Sequence, residues 1–463
     1  MLAARLLDAF LVTEAIALID PVGVSHHCGP RGVAPDVTVR LRESIPVLHL
    51  LRTPQVAIGE SYMRGTLVIE RGTLRQLMAI VFKTLTLHRE TTFARLMPMI
   101  SSLRSAASRF AQWNSRAASR WNVEYHYDIG NELFELILDP SLQYTCGQFP
   151  AAAMPVGTTQ ALAAYGADPA RDLDAAQRRR IEQIISKLRI GPDMRVLDIG
   201  SGWGGLATAI AERTGADVLG ITLSPRQLEY ARTLAAARGL AARARFELLD
   251  YRSLSGRFDR IIAAGVLEHI GKAHHATFFR RIGSLLSDDG SALVDSTGRA
   301  DRPGNTNPWL RKYIFPGGYI PALSEVCTAV ERSGLEMLDV DIARLHYAFT
   351  VREWERRLAA SADRIRALMG AEFVRMYELY LASSEMAFVH GRFVNFQLLV
   401  SNSRFAAPIT REFMMEPRHG AEEVAPGASG QHLGPGWHAG PVADSCSGPA
   451  GQPDTLVLPR ASQ

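Results

Sequence analysis

RVLDIGSGWGGLATAI, residues 195–210, is the stretch whose reading decides the fold. An apolar run surrounds Asp198, glycines follow at 200, 202, 204 and 205, and a helical pattern then begins. A strand that ends in glycines and leads into a helix places a ligand at its carboxyl end. Gly200 and Gly202 let the backbone turn sharply and approach that ligand with no Cβ in the way. Taken alone, the turn fits a nucleotide-type ligand, a dinucleotide included, or a tight structural turn.

The flanking sequence supplies the rest of the sheet. Helix RRRIEQIISKL precedes strand RVLDIG; then come helix GGLATAIAER, strand ADVLGI and helix PRQLEYARTLAAARG. Strands ARFELL and FDRIIAAG, helix HHATFFRRIGSLL and strand SALVDS continue the series. Such alternation predicts an α/β fold with a Rossmann-like parallel sheet and helices on both faces.

Context narrows the ligand. The turn is not G-x-G-x-x-G, and no Asp or Glu ends the second strand; ITLSPRQ offers Thr222 and Gln227 instead. LLDYRSL, after the third strand, offers Asp250 to accept from an adenine amino group and Tyr251 to cover the ring. A glycine turn followed by an acid–aromatic pair suits the adenosyl part of S-adenosylmethionine.

Bulk properties set the outer limits. The 463 residues have 47% hydrophobic content and a net charge of +4, too small to suggest nucleic-acid binding. Cys28, Cys146, Cys327 and Cys446 are scattered, which suits a reduced cytosolic chain with no metal site. Arg5, Asp8, Glu14 and Asp20 interrupt the apolar N-terminus, so neither a signal peptide nor a membrane span is expected. The expected domains are a smaller α+β domain over 1–90, a basic amphipathic linker helix over 91–121, a catalytic domain over 122–405 and a disordered tail over 406–463. The linker holds Arg95, Arg104, Arg109, Arg116 and Arg120 without an acid. It suits an anionic membrane surface or a solvated linker.

Seven segments then come one after another in a distinctive order: HYDIGNELFELILDPSLQYTCGQF, VLDIGSGWGG, ITLSPRQ, LLDYRSL, GVLEHIG, NPWLRKYIFPGG and LHYAFTVREW. Their order and spacing resemble the cyclopropane-fatty-acyl-phospholipid synthases and mycolic acid cyclopropane synthases, from about Asn122 to Arg404. AIGESYMRGTLVIERG resembles the N-terminal, lipid-associated domain of the phospholipid enzymes. The resemblance implies a class I methyltransferase sheet, S-adenosylmethionine as cofactor, and methyl transfer to the cis double bond of an unsaturated phospholipid acyl chain. It also implies a cytoplasmic enzyme peripheral to the inner face of the membrane, with a homodimer open. Tyr144, Thr145, Asp198, Gly200, Gly202, Thr222, Gln227, Asp250 and Tyr251 fall on cofactor-binding positions. Cys146, Gly265, Glu268, Tyr347 and the strand SALVDSTG fall where the family holds a bicarbonate base.

That last strand departs from the pattern: Asp295-Ser296-Thr297 stands where the family has His-x-Ile. A His donates to bicarbonate, whereas an ionised Asp repels it, by roughly 3 kcal/mol at about 5 Å and an effective dielectric near 20. Bicarbonate is therefore a doubtful cofactor here, and Asp295 is expected either to replace it as proton acceptor or to bind as the neutral acid; the alternative is that it bonds a backbone group in a damaged site. A cyclopropane is the expected product. A methyl-branched or methylene fatty acid, a small-molecule methyltransferase and an inactive lipid-binding relic are the alternatives. A dry acyl tunnel is expected, with Phe278, Phe279, Tyr313, Phe315, Tyr319, Phe388 and Phe396 as candidate walls, each also readable as ordinary core. His274 and His275 are read as exposed.

Overall fold

A computed structural model describes residues 2–88, 130–150, 157–167 and 169–414. The arginine-rich stretch 91–121, with His126, Asp128 and the tail from 415 onward, lies outside the described residues. The described residues fall in one unit, Met1–Arg418.

The N-terminal part is a four-stranded sheet of order β2-β1-β3-β4. Its strands are β1 (Ile16–Ile19), β2 (Ser25–Cys28), β3 (Val37–Leu41) and β4 (Leu67–Arg71). Alternation puts Val37, Val39 and Leu41 into a small core with Ile16, Leu18 and Cys28. Helices Pro54–Arg64 and Leu74–His88 carry this part onto helix Ala371–Val389. The contact is close: a Cβ on Gly59 would lie 2.4 Å from the Trp309 ring. Arg75 also reaches the buried Glu385, which in turn bonds Arg352 and Tyr165.

The second sheet has seven strands: β5 (Arg195–Ile199), β6 (Asp217–Thr222), β7 (Ala244–Leu248), β8 (Phe258–Ala264), β9 (Leu286–Arg299), β10 (Glu336–Ile342) and β11 (Phe393–Ser401). Their spatial order is β10-β11-β9-β8-β5-β6-β7. β5 to β9 run parallel, and β11 is antiparallel to both β9 and β10. Neighbouring residues leave each central strand for opposite faces. Leu197, Ile261, Val294 and Leu398 join one core with Phe278 and Phe279. Val196, Ile262, Leu293 and Leu399 join another with Ile181, Ile184 and Leu206. This two-faced burial explains the continuous apolar runs read in the sequence. β10 and β11, beyond the series read there, complete the sheet.

From β5 the chain proceeds outward through β6 and β7, then returns to β8 on the other side of β5. The glycine turn after β5 and Gly265 after β8 therefore share the topological switch point, where such sheets bind ligands. A third core, from helices Asn131–Ile137, His346–Ala360 and Ala371–Val389, encloses Trp354, Tyr377 and Phe134.

Two expectations change. His275 is buried, 2% exposed, and its ring lies 6.2 Å from that of Tyr319. Phe413 and Met414, inside the stretch read as tail, are buried against the sheet with Leu399. A buried large apolar side chain contributes about 1.5–3 kcal/mol. A chain cut after Phe405 is expected to be roughly 3 kcal/mol or more less stable than one cut after Met414, as read by denaturant unfolding. Equal stability of the two would contradict the packing.

Candidate functional site

A cavity of about 260 Å³ opens at the switch point. Its lining includes Tyr144, Thr145, Asp198, Gly200, Gly202, Thr222, Gln227, Asp250, Tyr251, Gly265, Glu268 and Tyr347. Cys146 and Asp295 are outside that lining, and both are buried.

The polar end is built by the turns after β5, β6 and β7. Gly200 has φ +75°, and a Cβ there would come within 2.6 Å of Val266. A Cβ on Gly205 would fall 1.9 Å from the Ser141 carbonyl, so the segment before Tyr144 is laid directly on the glycine turn. Asp139 fixes that segment by accepting from the Ser141 and Gln143 amides, each at 2.9 Å. Thr222 donates to Gln227 Oε1 at 2.9 Å, which leaves the Gln227 amide nitrogen out of that bond. Asp250 is held by Arg252, whose Nη2 lies 2.6 Å from Oδ2. Two buried atoms in the cradle lack partners among the described residues: Asp198 Oδ2 and Thr145 Oγ1. Burial pushes the Asp198 carboxyl up to about 7, against the pull of Arg180.

The other end is apolar. Leu310, Phe315, Tyr319, Ile320, Val351, Phe388 and Phe393 line it. Tyr347 packs on Phe388 with ring centroids 4.9 Å apart, and Tyr144 stacks on Trp354 at 4.9 Å. The Tyr144 hydroxyl donates to that of Tyr380 at 3.0 Å. Of the aromatic residues expected to form a tunnel, Phe315, Tyr319 and Phe388 line the cavity. Phe278, Phe279 and Phe396 belong instead to the sheet core, while Tyr313 bonds Glu60 of the N-terminal part.

Glu268 stands among the lining residues of both ends. Its Oε1 accepts the Thr297 amide at 2.6 Å; its Oε2 is buried without a partner among the described residues. Burial, helped by the charge of Asp295, moves its carboxyl up to about 7. Burial drops the neighbouring His269 to about 4, so that ring is neutral.

Asp295 Oδ2 accepts from Arg180 Nη2 at 3.0 Å and from Gln397 at 2.8 Å, while Oδ1 accepts from Asn395 at 2.9 Å. Three donors tie it to Arg180 and β11, outside the cavity lining. These bonds weigh against the expectation that it takes the proton or binds as the neutral acid.

The comparisons agree with this geometry. The family model for mycolic acid cyclopropane synthetase matches residues 114–398, and one for a domain of unknown function matches 17–90. The chain is 32% identical to a cyclopropane-fatty-acyl-phospholipid synthase of Escherichia coli over 361 residues, 77% of this chain and 85% of that one. It is 29% identical to a probable fatty acid methyltransferase of Pseudomonas putida over 83% of this chain and 92% of that one. The chain belongs to the mycolic acid cyclopropane synthetase family. The cyclopropane synthase MmaA2 of Mycobacterium tuberculosis superposes with a TM-score of 0.54 at 26% identity, covering 61% of this chain and 97% of that one. A mycolic acid cyclopropane synthase solved with SAH and CTAB gives the same score at 27% identity, with the same coverage. The protein is thus an S-adenosylmethionine-dependent methyltransferase, and S-adenosylmethionine is its cofactor.

The cradle fits that cofactor: it combines a glycine turn that side chains would obstruct, Gln227 in the lining, and buried atoms of Asp198 and Thr145 without partners among the described residues. The residues do not fit bicarbonate. The Gly265 amide is spent on the Asp295 carbonyl at 2.9 Å, and the Thr297 amide on Glu268. Position 295 provides an acceptor where the anion needs a donor, and the Cys146 thiol lies outside the lining.

Sequence reasoning missed Arg180, Arg252 and Tyr380. Arg180 had a signal: it sits on the apolar stripe of helix Leu173–Leu188, with Leu173, Ala176, Ile184 and Leu188. A charge on such a stripe calls for a buried partner. Removing one member of a buried ion pair costs about 3–5 kcal/mol. Arg180→Met is therefore expected to destabilise by about that amount in urea unfolding. A loss below ~1 kcal/mol, typical of exposed pairs, would contradict the assignment.

Proposed function

We propose that the enzyme methylates the double bond of an unsaturated acyl chain in a membrane phospholipid and closes it to a cyclopropane. The observation that carries this reading is the two-natured cavity. A polar cradle and an apolar, aromatic-walled space are continuous, with Glu268 among the lining residues.

When bound, S-adenosylmethionine supplies an electrophilic methyl group. Tyr144, Thr145, Asp198, Gly200, Gly202, Thr222, Gln227, Asp250 and Tyr251 would hold it. An alkene is a weak nucleophile, so the protein's contribution is alignment, which can provide about 7–11 kcal/mol. Phe315, Phe388 and Phe393 would hold the greasy chain and keep water from the cation that methylation leaves on it. Tyr144, Tyr347 and Tyr380 stay neutral, since burial raises all three hydroxyls.

A second product has specific support. Asp295 alters the base region, and one similar chain is a fatty acid methyltransferase by name. A methyl-branched or methylene chain is the corresponding outcome. Expression in a host without such enzymes, followed by carbon-connectivity analysis of the fatty acids, separates these readings. A ring is expected; a methyl branch or exocyclic methylene would redirect the product. Unchanged lipids would contradict acyl methylation.

The surface supports a lipid substrate. Among the described residues no helix is long and apolar enough to cross a membrane. Helix Val47–Arg52 buries none of its residues: Val47, Leu48 and Leu51 are 52%, 58% and 61% exposed. Arg42, His49 and Arg52 accompany them at the surface. The adjoining helix Pro54–Arg64 packs on Pro308–Tyr313, whose Leu310 lines the cavity. An apolar face with basic neighbours suits the anionic face of a bilayer. The free Cys28, Cys146 and Cys327 suit the reducing, cytoplasmic side. The double change Leu48→Ser, Leu51→Ser is expected to weaken sedimentation with phosphatidylglycerol vesicles by about tenfold or more. Affinity for S-adenosylhomocysteine should stay unchanged in calorimetry. Equal sedimentation would contradict this docking face.

A further inference from the structure

We infer that Glu268 itself takes the proton that ends the reaction, so that turnover needs no bicarbonate. This rests on the proposed acyl methylation and specifies the base of that same site.

Three observations converge. Glu268 has one oxygen fixed by the Thr297 amide and the other buried, unpartnered and part of a residue that lines the cavity. A buried carboxylate oxygen without a donor is costly to maintain, and it is well suited to accept a proton. The other carboxylate of the region, Asp295, is saturated by Arg180, Asn395 and Gln397. The backbone donors that would hold an exogenous anion are already used within the protein.

The electron bookkeeping closes on this residue. The alkene pair would form the bond to the methyl carbon as that carbon's bond to the sulfonium sulfur breaks, with its electron pair left on sulfur as a neutral thioether and a cation left on the adjacent chain carbon. A C–H bond of that methyl then breaks. Its electron pair forms the last ring bond, and its proton passes to Glu268 Oε2, turning a carboxylate into a neutral acid. The proton returns to solvent when product leaves. No oxidant or further reactant is required.

The charged and titratable groups around Glu268 set its response to pH. Burial supplies the largest push on its carboxyl, to about 7; its own and the Thr297 backbone amides oppose it, Asp295 of β9, paired by Arg180 from helix Leu173–Leu188, adds to it, and the Ser296 hydroxyl pulls it down. Tyr347 from helix His346–Ala360, Cys146 and His269 carry no charge near neutrality, because burial raises the first two and lowers the third. The reactive form is the carboxylate, so activity falls as pH drops through the value of Glu268.

The test uses the full chain, vesicles of a monounsaturated phosphatidylglycerol and S-adenosylmethionine, at fixed pH. Buffers purged of carbon dioxide are compared with the same buffers plus bicarbonate. The expected result is one rate in both, with an acid limb near pH 7 in kcat. Glu268→Gln should lower kcat by about 10²–10⁴-fold while S-adenosylhomocysteine affinity in calorimetry stays unchanged. Glu268→Asp should recover part of the rate. A rate that collapses on purging and returns with bicarbonate overturns the inference, and so does a Gln variant that keeps its rate. Absence of any acyl product from the wild-type chain would instead remove the proposed function beneath it.

Discussion

The buried pair of Arg180 and Asp295 is the interaction on which the catalytic half of the molecule depends. Arg180 is 1% and Asp295 2% exposed, and each would be prohibitive there alone. Together they join helix Leu173–Leu188 to β9, and Asn395 and Gln397 extend the network to β11. Lys187 continues it, bonding Gln397 and Asp341 at 2.6 Å each. Such a network adds little net stability over well-packed apolar residues, but it fixes one arrangement of strands. It also ties up one of two neighbouring carboxylates. Glu268 is left with an unpartnered oxygen in the region where methyl donor and acyl chain are proposed to meet.

The cavity follows from topology. Reversal of strand order between β5 and β8 leaves a crevice at their carboxyl ends, and the turns after β5, β6 and β7 furnish its polar wall. The helices of the third core furnish the apolar wall through Val351, Tyr380 and Phe388. The N-terminal part packs on helix Ala371–Val389, where Arg75 reaches Glu385, and on Trp309 of helix Pro308–Tyr313. A surface face, a tunnel wall and a polar cradle therefore belong to one mechanically continuous body.

The sequence revealed the cradle well because each piece is local: a glycine turn, ITLSPRQ, LLDYRSL and GVLEHIG each carry their own spacing. The alternating strands up to β9 were readable for the same reason. The setting of Asp295 was not legible because its partner Arg180 lies 115 residues away in the chain. A carboxylate looks the same in sequence whether it accepts a proton or three hydrogen bonds. The aromatic residues divided between cavity and core because an apolar ring satisfies either place. Phe413 and Met414 were hidden by the glycine- and proline-rich composition of the residues beyond Met414. Arg180 on the apolar stripe of helix Leu173–Leu188 was the missed signal that periodicity could have exposed.

The central claim is that one dry space brings the methyl donor beside a hydrocarbon chain, with Glu268 at the meeting point. A crystal structure of the full chain with S-adenosylhomocysteine and a long-chain cationic detergent tests it most directly. The account predicts the thioether sulfur facing inward, the alkyl tail running between Phe315 and Phe388, and Glu268 Oε2 beside the tail with no ordered water between. A sulfur facing open solvent, or a tail bound elsewhere, would contradict it.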